Sequence, residues 1–268
     1  MKTFSLNGTN LSFVDRGAGA AILFVHGFPL DHSMWDGQIE ALSARYRVIA
    51  PDLRGFGQSG VSEGVVTMDQ FAGDLAALFD FSGIDKVILC SLSMGGYIAL
   101  EFWRKYAKRL RALILCDTRV VSDAPEAAAN RFVVAERVLR EGSNTVADAM
   151  IPKLFDPITL EKRPDLVEKI KQVINRTDPR GIAAAARGMA QRADFTADLP
   201  RIGCPALVIV GHSDAISPAA EMQAFSKAIP NAEFKIIPQA GHMAPLEQPQ
   251  AVNAAIERFL ERNGIISN

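Results

Sequence analysis

Two serines in the segment CSLSMGGY, residues 90–97, are candidates for nucleophilic chemistry. A serine hydroxyl attacks carbonyl groups when an adjacent imidazole takes its proton and a carboxylate orients that imidazole. An apolar run precedes the segment and a helix-like stretch follows it, which is the strand–turn–helix setting of a nucleophile elbow. Such a turn needs small residues two positions before and two positions after its centre.

This requirement distinguishes the two serines. Centred on Ser93, the small neighbours are Ser91 and Gly95. Centred on Ser91, one neighbour is Leu89, whose side chain would clash. The pattern therefore predicts Ser93 as the nucleophile. Taken alone, S-x-S-x-G is equally typical of a serine-rich turn that caps a helix, so the prediction depends on finding the partners of the serine.

Four histidines could supply the base: His26, His32, His212 and His242. The first two lie at and after the end of an early strand, and His212 ends a later one. Only His242, in QAGHMAPLEQP, follows the last predicted strand and precedes a helix start that prolines mark. We predict His242 as the base; the alternative is a loop histidine that bonds only to backbone.

The orienting acid is predicted to be Asp214, in VGHSDAISP, because it follows the preceding strand at its C-terminal end. The chain order Ser93, Asp214, His242 is the one expected when the nucleophile lies on an elbow of a parallel sheet. Asp117 is the rival, since it also ends a strand of the same sheet. Its alternative role is that of a hinge residue at the entry to a helical block.

Acyl transfer also needs backbone N–H groups that stabilise the negative charge on the substrate oxygen. The residue after the nucleophile, Met94, opens a helix and is predicted to supply one of them. The loop HGFP at 26–29 is predicted to supply the other through Phe28, because Pro29 has no N–H to donate. The alternative role of HGFP is that of a tight turn.

A sheet with parallel strands would bring these residues to one edge. The predicted strands are an N-terminal hairpin around Asn7–Gly8, then Ala21 to Val25, Tyr46 to Ala50, Lys86 to Cys90, Leu110 to Cys116, Ala206 to Gly211 and Glu233 to Ile237. Helices alternate with them: one that carries Trp35, Ile39 and Leu42, and others at about 68–81, 94–106 and 249–262. Short, apolar, β-branched strands between helices predict an α/β fold, with a mostly parallel eight-stranded sheet flanked by helices.

Between about 119 and 197 the sequence predicts helices and no strand. They span about 125–140, 144–155 and 164–176, and a fourth begins at Asp178–Pro179; Phe132, Ala135 and Leu139 are predicted to share one face of the first. We predict a core of 1–118 and 198–268 and an inserted helical cap of 119–197 over the strand ends, where ligands bind in such sheets. Trp35, Phe132 and Met150 are candidate substrate-binding residues.

The composition of the chain narrows the class of protein. A net charge of −1 and the lack of a basic stretch argue against a nucleic-acid partner, and no apolar run is long enough for a membrane span. Three cysteines, in or beside apolar runs, are expected to be buried reduced thiols. The first residues lack the apolar core of a signal peptide, so a cytoplasmic location is expected. Homo-oligomerisation is left open.

Five motifs together give the sequence the appearance of an α/β-hydrolase over nearly its whole length: HGFP at 26–29, DLRGFGQS at 52–59, SLSMGG at 91–96, GHSDAISP at 211–218 and AGHMAPLEQP at 240–249. Within that family it resembles small bacterial esterases, enol-lactonases of the 3-oxoadipate type and cofactor-free haloperoxidases or perhydrolases. The resemblance implies Ser93, His242 and Asp214 as the triad, with Phe28 and Met94 as the backbone donors. It implies a local structural role for Asp52 and Arg54. The departure from the family pattern is Ser91 in place of the usual glycine, which is expected to crowd the elbow.

These observations predict a serine hydrolase acting on small to medium, largely apolar esters without a metal or an organic cofactor. The alternatives are an enol-lactonase, a perhydrolase side activity, carbon–carbon bond hydrolysis by the same triad, and a non-catalytic ligand sensor. For the enol-lactonase, Arg119, Arg131 and Arg187 are candidate carboxylate-binding residues, although solvated positions are expected for all three. Haloalkane dehalogenation is disfavoured, because it requires an aspartate at the position of Ser93.

Overall fold

An eight-stranded sheet forms the centre of the molecule in the computed structural model, which describes residues 1–6 and 8–265. Its strands are β1 (Lys2–Leu6), β2 (Thr9–Arg16), β3 (Ala21–Val25), β4 (Arg47–Pro51), β5 (Val87–Leu92), β6 (Leu110–Cys116), β7 (Ala206–Gly211) and β8 (Glu233–Ile237). They lie in the order β1-β2-β4-β3-β5-β6-β7-β8. β1 pairs antiparallel with β2, and β2 antiparallel with β4, whereas the pairs from β4 to β8 are parallel. The predicted eight-stranded, mostly parallel sheet is confirmed.

The helices of the described chain fall into two sets. Those that connect strands or follow the last strand are α1 (Asp36–Leu42), α2 (Met68–Phe81), α3 (Met94–Tyr106), α9 (Ala219–Ala228), α10 (Ala244–Glu247) and α11 (Pro249–Arg262). Those inserted between β6 and β7 are α4 (Pro125–Glu141), α5 (Asn144–Leu154), α6 (Pro157–Lys162), α7 (Pro164–Arg176) and α8 (Pro179–Met189). The inserted helices lie where the sequence predicted a helical block. The exact limits of a cap domain stay a prediction.

Burial of the strands follows their position in the sheet. Every residue of β3, β5 and β7 is buried, because helices cover both faces of the central strands. The edge strands β1 and β8 are half-exposed. This explains why the central strands are continuous apolar runs in the sequence. None of the helices in the described part of the chain is both long and apolar enough to cross a membrane.

Local sequence patterns predicted where the longer helices and strands begin, but they did not reveal the short helices. Asp178 caps α8, since its side chain accepts a hydrogen bond from the Arg180 N–H, as the Asp-Pro pair indicated. The strand predicted to end at Cys90 continues through Leu92, directly before Ser93. α6 and α10 were not predicted, because a helix of one or two turns has too little periodicity to detect. β1 and β2 pair as a hairpin, but Asn7 of the predicted Asn7–Gly8 turn lies outside the described residues.

Candidate active site

Ser93 occupies the turn between β5 and α3 in a strained backbone conformation, with φ 54° and ψ −116°. Such a conformation costs a non-glycine residue on the order of 1–3 kcal/mol, and it persists only where the surroundings impose it. Here the Ser93 N–H donates to the Cys116 carbonyl at 3.1 Å, and the Ser93 carbonyl accepts from the Gly96 N–H at 2.8 Å and the Thr118 hydroxyl at 2.7 Å. These bonds hold the serine at the tip of a sharp turn at the C-terminal edge of the sheet.

The positions that flank the turn are as tightly packed as the sequence requirement predicted. A Cβ on Gly95 would lie 2.5 Å from the carbonyl oxygen of Val25, which is closer than carbon and oxygen can approach. Ser91 is fully buried, and its hydroxyl donates to the carbonyl of Ile114 on β6 at 3.2 Å. This bond joins the elbow to the neighbouring strand. The serine is accommodated because it has a partner across the sheet.

His242 and Asp214 form a buried pair in the loops that follow β8 and β7. His242 Nδ1 lies 2.9 Å from Asp214 Oδ2, and both side chains are almost completely buried. The other carboxylate oxygen, Oδ1, accepts from the N–H groups of Ile216 at 2.7 Å and Ser217 at 2.9 Å. With a carboxylate as its partner, Nδ1 is the donor, and Nε2 is left as the nitrogen that can accept a proton.

The structure brings Asp214 to His242 and places Ser93 at the same edge of the sheet. Among the residues that it describes, no hydrogen bond joins the Ser93 hydroxyl to the His242 imidazole. The serine is therefore not hydrogen-bonded to its predicted base in this conformation. Hydrogen bonds between such groups are often long without substrate and tighten when it binds. The role of Ser93 as a nucleophile therefore stays a prediction, supported by its strained position.

Asp117, the rival acid, has different partners. It also has a positive φ, 45°, and its Oδ1 accepts from the Gly211 N–H at 2.7 Å. Its Oδ2 is buried and has no hydrogen-bond partner among the described residues. Burial, and next the negative charge of Asp214, raise the pKa of the Asp117 carboxyl well above its usual range. The geometry thus favours Asp214 as the orienting acid.

Two of the other histidines, His26 and His32, are hydrogen-bonded elsewhere, and His212 is exposed. In the buried ring of His26, Nδ1 lies 2.9 Å from the Gly27 carbonyl and Nε2 accepts from the Leu53 N–H at 3.0 Å. Burial lowers its pKa, so this ring is neutral and links two loops. His32 Nδ1 lies 2.6 Å from Asp52 Oδ1. Neither imidazole contacts the elbow through these bonds.

Hydrogen bonds to buried carboxylates stabilise the conformation of the DLRGFGQS segment. Asp52 accepts from the His32 N–H at 2.9 Å and the Gln58 N–H at 2.8 Å. Arg54 makes two 2.6 Å bonds to Asp74, a partner on α2 and therefore not local as the resemblance implied. These contacts agree with a structural role for the segment.

The two predicted backbone donors lie on either side of the elbow. A Cβ on Gly27 would lie 3.3 Å from the Ser93 Cβ, so the loop that carries Phe28 packs directly against Ser93. Met94 is the first residue of α3, where N–H groups have no partner within the helix. In the part of the chain that the structure describes, neither the Phe28 nor the Met94 N–H donates to a protein acceptor. Both are therefore available to a ligand oxygen.

A cavity of about 310 Å³ lies among α4, α5 and α8, and Phe28 connects it to the HGFP loop. Most of its wall is apolar. It is lined by Phe28, Ala127, Asn130, Arg131, Val134, Arg137, Thr145, Val146, Ala149, Met150 and Ala186. The prediction that Met150 lines a pocket agrees with this geometry. A volume of this size suits a small ligand.

Two of the predicted substrate-binding residues, Trp35 and Phe132, do not line this cavity, so the cavity does not support their predicted role. Trp35 is completely buried in the core, with its ring centroid 4.9 Å from that of Phe24. Phe132 is 42% exposed on the outer side of α4, as is Leu139. Of the predicted face of α4, Ala135 is buried together with Val138, whereas Phe132 and Leu139 are exposed. Residues 127, 130, 131 and 134 have the spacing of one helix face, and that signal could have identified the cavity wall.

The three candidate arginines are paired with acids and are not simply solvated as expected. Arg119 makes two bonds to Glu221, at 2.8 and 2.9 Å. Arg187 bonds to Glu136 at 2.7 Å. Arg131 pairs with Asp123, which Arg192 also contacts at 2.7 Å. Of the three, Arg131 alone lines the cavity.

One group of side chains in the described residues has the spacing of metal ligands: Asp31, His32 and Asp52, whose candidate atoms lie within 4.8 Å of one another. Both carboxylates are already paired with basic side chains of the protein. Arg176 lies 2.6 Å from Asp31 Oδ2, and His32 bonds to Asp52. The residues do not form an open coordination site.

Comparisons with known proteins agree with the observed fold. Residues 20–249 match the family model described as alpha/beta hydrolase fold. The chain is 30% identical over 258 residues to 3-oxoadipate enol-lactonase 2 of Acinetobacter baylyi, covering 96% of this chain and 94% of the relative. A thermophilic esterase from Thermogutta terrifontis is 51% identical, with a TM-score of 0.95 and 97% of each chain covered. An enol-lactonase from Burkholderia xenovorans LB400 is 30% identical, with a TM-score of 0.91 and coverage of 97% of this chain and 100% of the other.

Proposed function

The chain belongs to the alpha/beta hydrolase family, and on that premise we propose that it is a serine hydrolase that cleaves carboxylic ester bonds through an acyl-enzyme. The observation that carries the proposal is the buried His242–Asp214 pair at the sheet edge that also presents the strained Ser93. Similarity to esterases and enol-lactonases supports the reaction class.

In the first step, the Ser93 Oγ attacks the carbonyl carbon of the ester while His242 Nε2 accepts the hydroxyl proton. The Nδ1–H bond to Asp214 selects the tautomer of the neutral imidazole in which Nε2 has the free lone pair, and it stabilises the imidazolium that forms in the step. In the complex with substrate, a hydrogen bond from the Ser93 hydroxyl to Nε2 completes the proposed triad. The carbonyl electron pair moves to the oxygen, which becomes an oxyanion.

The oxyanion is bound by the Phe28 and Met94 N–H groups, which are free to donate. One such donor contributes roughly 10²- to 10³-fold to the rate of acyl transfer. The tetrahedral intermediate then collapses, and the alcohol leaves with the proton that His242 returns. Water attacks the acyl-enzyme in the same way, with His242 again as the base, and releases the acid and free Ser93.

The cavity supplies the substrate preference in this proposal. Its apolar wall, with Val134, Val146 and Met150, suits a short or medium acyl or alcohol group. Because Phe28 contributes both to the wall and to the oxyanion donors, a group in the cavity lies next to the reacting carbonyl. Peracid formation, with hydrogen peroxide in place of water, is a side reaction that the same acyl-enzyme would support.

An enol-lactonase is the second candidate, and the arginines of the cavity favour it. Arg131 and Arg137 line the wall, no acidic residue does so, and Asp123 is shared between Arg131 and Arg192. Arg137 is paired with Glu141 at 2.8 Å, so the excess positive charge beside the cavity comes from Arg131 and Arg192, which share one acid. This charge would attract a lactone that carries a carboxylate. The two relatives named as enol-lactonases cover nearly the whole chain.

The test is turnover of p-nitrophenyl butyrate by the purified protein. We expect hydrolysis that Ser93→Ala lowers by roughly 10⁴- to 10⁶-fold, because the triad acts as a unit. Ser91→Gly is the matched control, since it removes the other hydroxyl of the turn and should keep activity within about tenfold. If the wild type releases no p-nitrophenol and a fluorophosphonate leaves Ser93 unmodified, the protein is a ligand sensor and not an esterase.

A second measurement separates the two catalytic candidates. Neutral esters, lactones with and without a carboxylate, and peracid formation are assayed in parallel with the same preparation. A preference of about 100-fold or more in kcat/KM for the carboxylate-bearing lactone would replace the esterase proposal by the enol-lactonase. A preference for neutral esters retains it.

A further inference from the structure

Glu247 joins the loop that carries His242 to the inserted helices. The histidine loop is defined here as residues 238–243, and Glu247 ends the short helix α10 that follows it. Its Oε1 accepts from the Gly241 N–H at 2.7 Å, and its Oε2 accepts from the Asp156 N–H at 2.8 Å. The residue is 4% exposed. A buried carboxylate thus bridges the residue before His242 and the junction of α5 with α6.

Asp156 extends this bridge to the loop that carries Asp214. The acid loop is defined here as residues 212–218. Asp156 Oδ2 accepts from the Ser213 hydroxyl at 2.6 Å, and Oδ1 accepts from the Ile158 N–H at 2.8 Å, which caps α6. Ser213 immediately precedes Asp214. The junction between α5 and α6 therefore contacts the residues directly before both members of the His242–Asp214 pair.

Close packing reinforces these bonds. A Cβ on Gly241 would lie 2.7 Å from the Asp156 nitrogen and from the Phe155 carbonyl carbon. Only glycine allows the histidine loop to come this close to the inserted helices. Phe155 and Asp156 are themselves buried. The two loops and the junction thus form one packed unit.

We propose that Glu247 and Asp156 are positioning residues that hold the acid and histidine loops in register, so that the geometry of the His242–Asp214 pair depends on how the α5–α6 junction is seated. This inference rests on the proposed function, in which that pair activates Ser93. Neither residue contacts the reacting atoms in the proposed mechanism. They act through Gly241 and Ser213.

The two carboxylates differ in what a neutral substitute would do. The Gly241 and Asp156 N–H groups that bond to Glu247 can only donate, one to each oxygen, so the amide nitrogen of Glu247→Gln would face a donor even though the Thr159 hydroxyl also bonds to this carboxylate. The Oδ2 partner of Asp156 is a hydroxyl, which can rotate and accept from the amide nitrogen of Asp156→Asn. The proposal therefore predicts a large effect at Glu247 and a small one at Asp156.

The experiment measures kcat, KM and melting temperature for ester hydrolysis by four variants. For Glu247→Gln we expect kcat to fall roughly 10- to 100-fold with KM changed less than about threefold, as expected when a base is displaced but the binding cavity is not. For Asp156→Asn we expect a change below about threefold. Ser213→Ala, which only removes the hydroxyl link, should lower kcat by several-fold at an unchanged melting temperature. Glu221→Gln, at the surface pair with Arg119, is the control and should change neither constant.

The rate at which a fluorophosphonate modifies Ser93 gives an independent readout, because that reaction also needs His242. We expect it to fall with kcat in Glu247→Gln. If Glu247→Gln lowers the melting temperature but leaves kcat and the labelling rate unchanged, Glu247 is only structural and the proposal is wrong. Equal losses in Asp156→Asn and Glu247→Gln would contradict the assigned bonding.

If Glu247→Gln does not fold, Ser213→Ala tests the proposal instead. An unchanged kcat in Ser213→Ala would show that the α5–α6 junction does not position the acid loop. Failure of the proposed function is distinguished from these outcomes, because the wild type itself would then show no Ser93-dependent turnover.

Discussion

Asp117 and Asp214 follow neighbouring parallel strands, yet only Asp214 bonds to His242, with 2.9 Å between Oδ2 and Nδ1. Asp117 instead accepts from the Gly211 N–H, and its second oxygen is buried with no partner in the part of the chain that the structure describes. The two carboxylates are thus similar in position and different in chemistry. The Asp214 carboxylate lies within hydrogen-bond distance of three donors. For Asp117, burial makes the ionised form of the carboxyl unfavourable.

This difference predicts opposite responses to the loss of charge. Asp214→Asn should lower kcat by about 10⁴-fold, because the amide favours the wrong tautomer of His242. Asp117→Asn should keep kcat within about tenfold and leave the melting temperature unchanged or raise it, since burial already raises the pKa of this carboxyl. Steady-state kinetics and thermal unfolding at neutral pH measure both. A 10⁴-fold loss in Asp117→Asn with full activity in Asp214→Asn would reverse the assignment of the acid.

Acyl-chain preference should respond to Met150 and not to Phe132. Met150→Ala removes part of the cavity wall and makes room for a longer acyl chain. The ratio of kcat/KM for p-nitrophenyl octanoate to that for the butyrate should therefore rise several-fold, because each additional methylene that is buried stabilises the bound substrate by about 1 kcal/mol. Phe132→Ser is the matched control, because that ring lies on the outer side of the same region. Equal shifts in both variants would show that the substrate binds elsewhere.

Packing at the elbow predicts that Gly95→Ala is destabilising. The new methyl group would lie 2.5 Å from the Val25 carbonyl oxygen, and relief of such a contact costs about 1–3 kcal/mol. Gly73→Ala is the control: that glycine lies in α2 with no atom near the new Cβ, so the free energy of unfolding should rise by about 0.5–1 kcal/mol. Urea unfolding measures both. A neutral Gly95→Ala would mean that the elbow can relax.

The His32–Asp52 pair predicts a pH-dependent contribution to stability. Burial lowers the pKa of His32, but the hydrogen bond and charge of Asp52 outweigh it, and the pKa is raised above 6.5. A raised pKa in the folded state means that the contribution is fully present below pH 6.5 and is lost as the pH rises through the folded value. His32→Gln should therefore lower the free energy of unfolding by about 1 kcal/mol more near pH 5.5 than near pH 8.5. A larger loss at high pH would contradict the pairing.

Much of the site was predictable because its signals are local. Ser93 is identified by the small residues two positions away on each side, and they are needed because the strand and helix backbones approach there. His242 and Asp214 are identified by their positions after the last two strands, since parallel strands place their C-terminal ends at one edge. The strands themselves are apolar runs because both faces of the sheet are covered.

The rest depends on contacts between segments far apart in the chain. Whether Trp35 faces a cavity or the core depends on which element packs over it, and its apolar character fits either place. The inner face of α4 is set by α5 and α8, so the bulky Phe132 is outside although its spacing suggested otherwise. Glu247 and Asp156 are 91 residues apart, and no periodicity connects them.

By itself, the sequence determined the sheet, the elbow and the order of the three candidate residues, because backbone sterics and strand burial act over a few neighbouring residues. Only the tertiary structure decided which acid meets His242, where the cavity lies, and how the α5–α6 junction supports the two loops. Those outcomes follow from hydrogen bonds and close packing that exist only once distant segments share one folded edge.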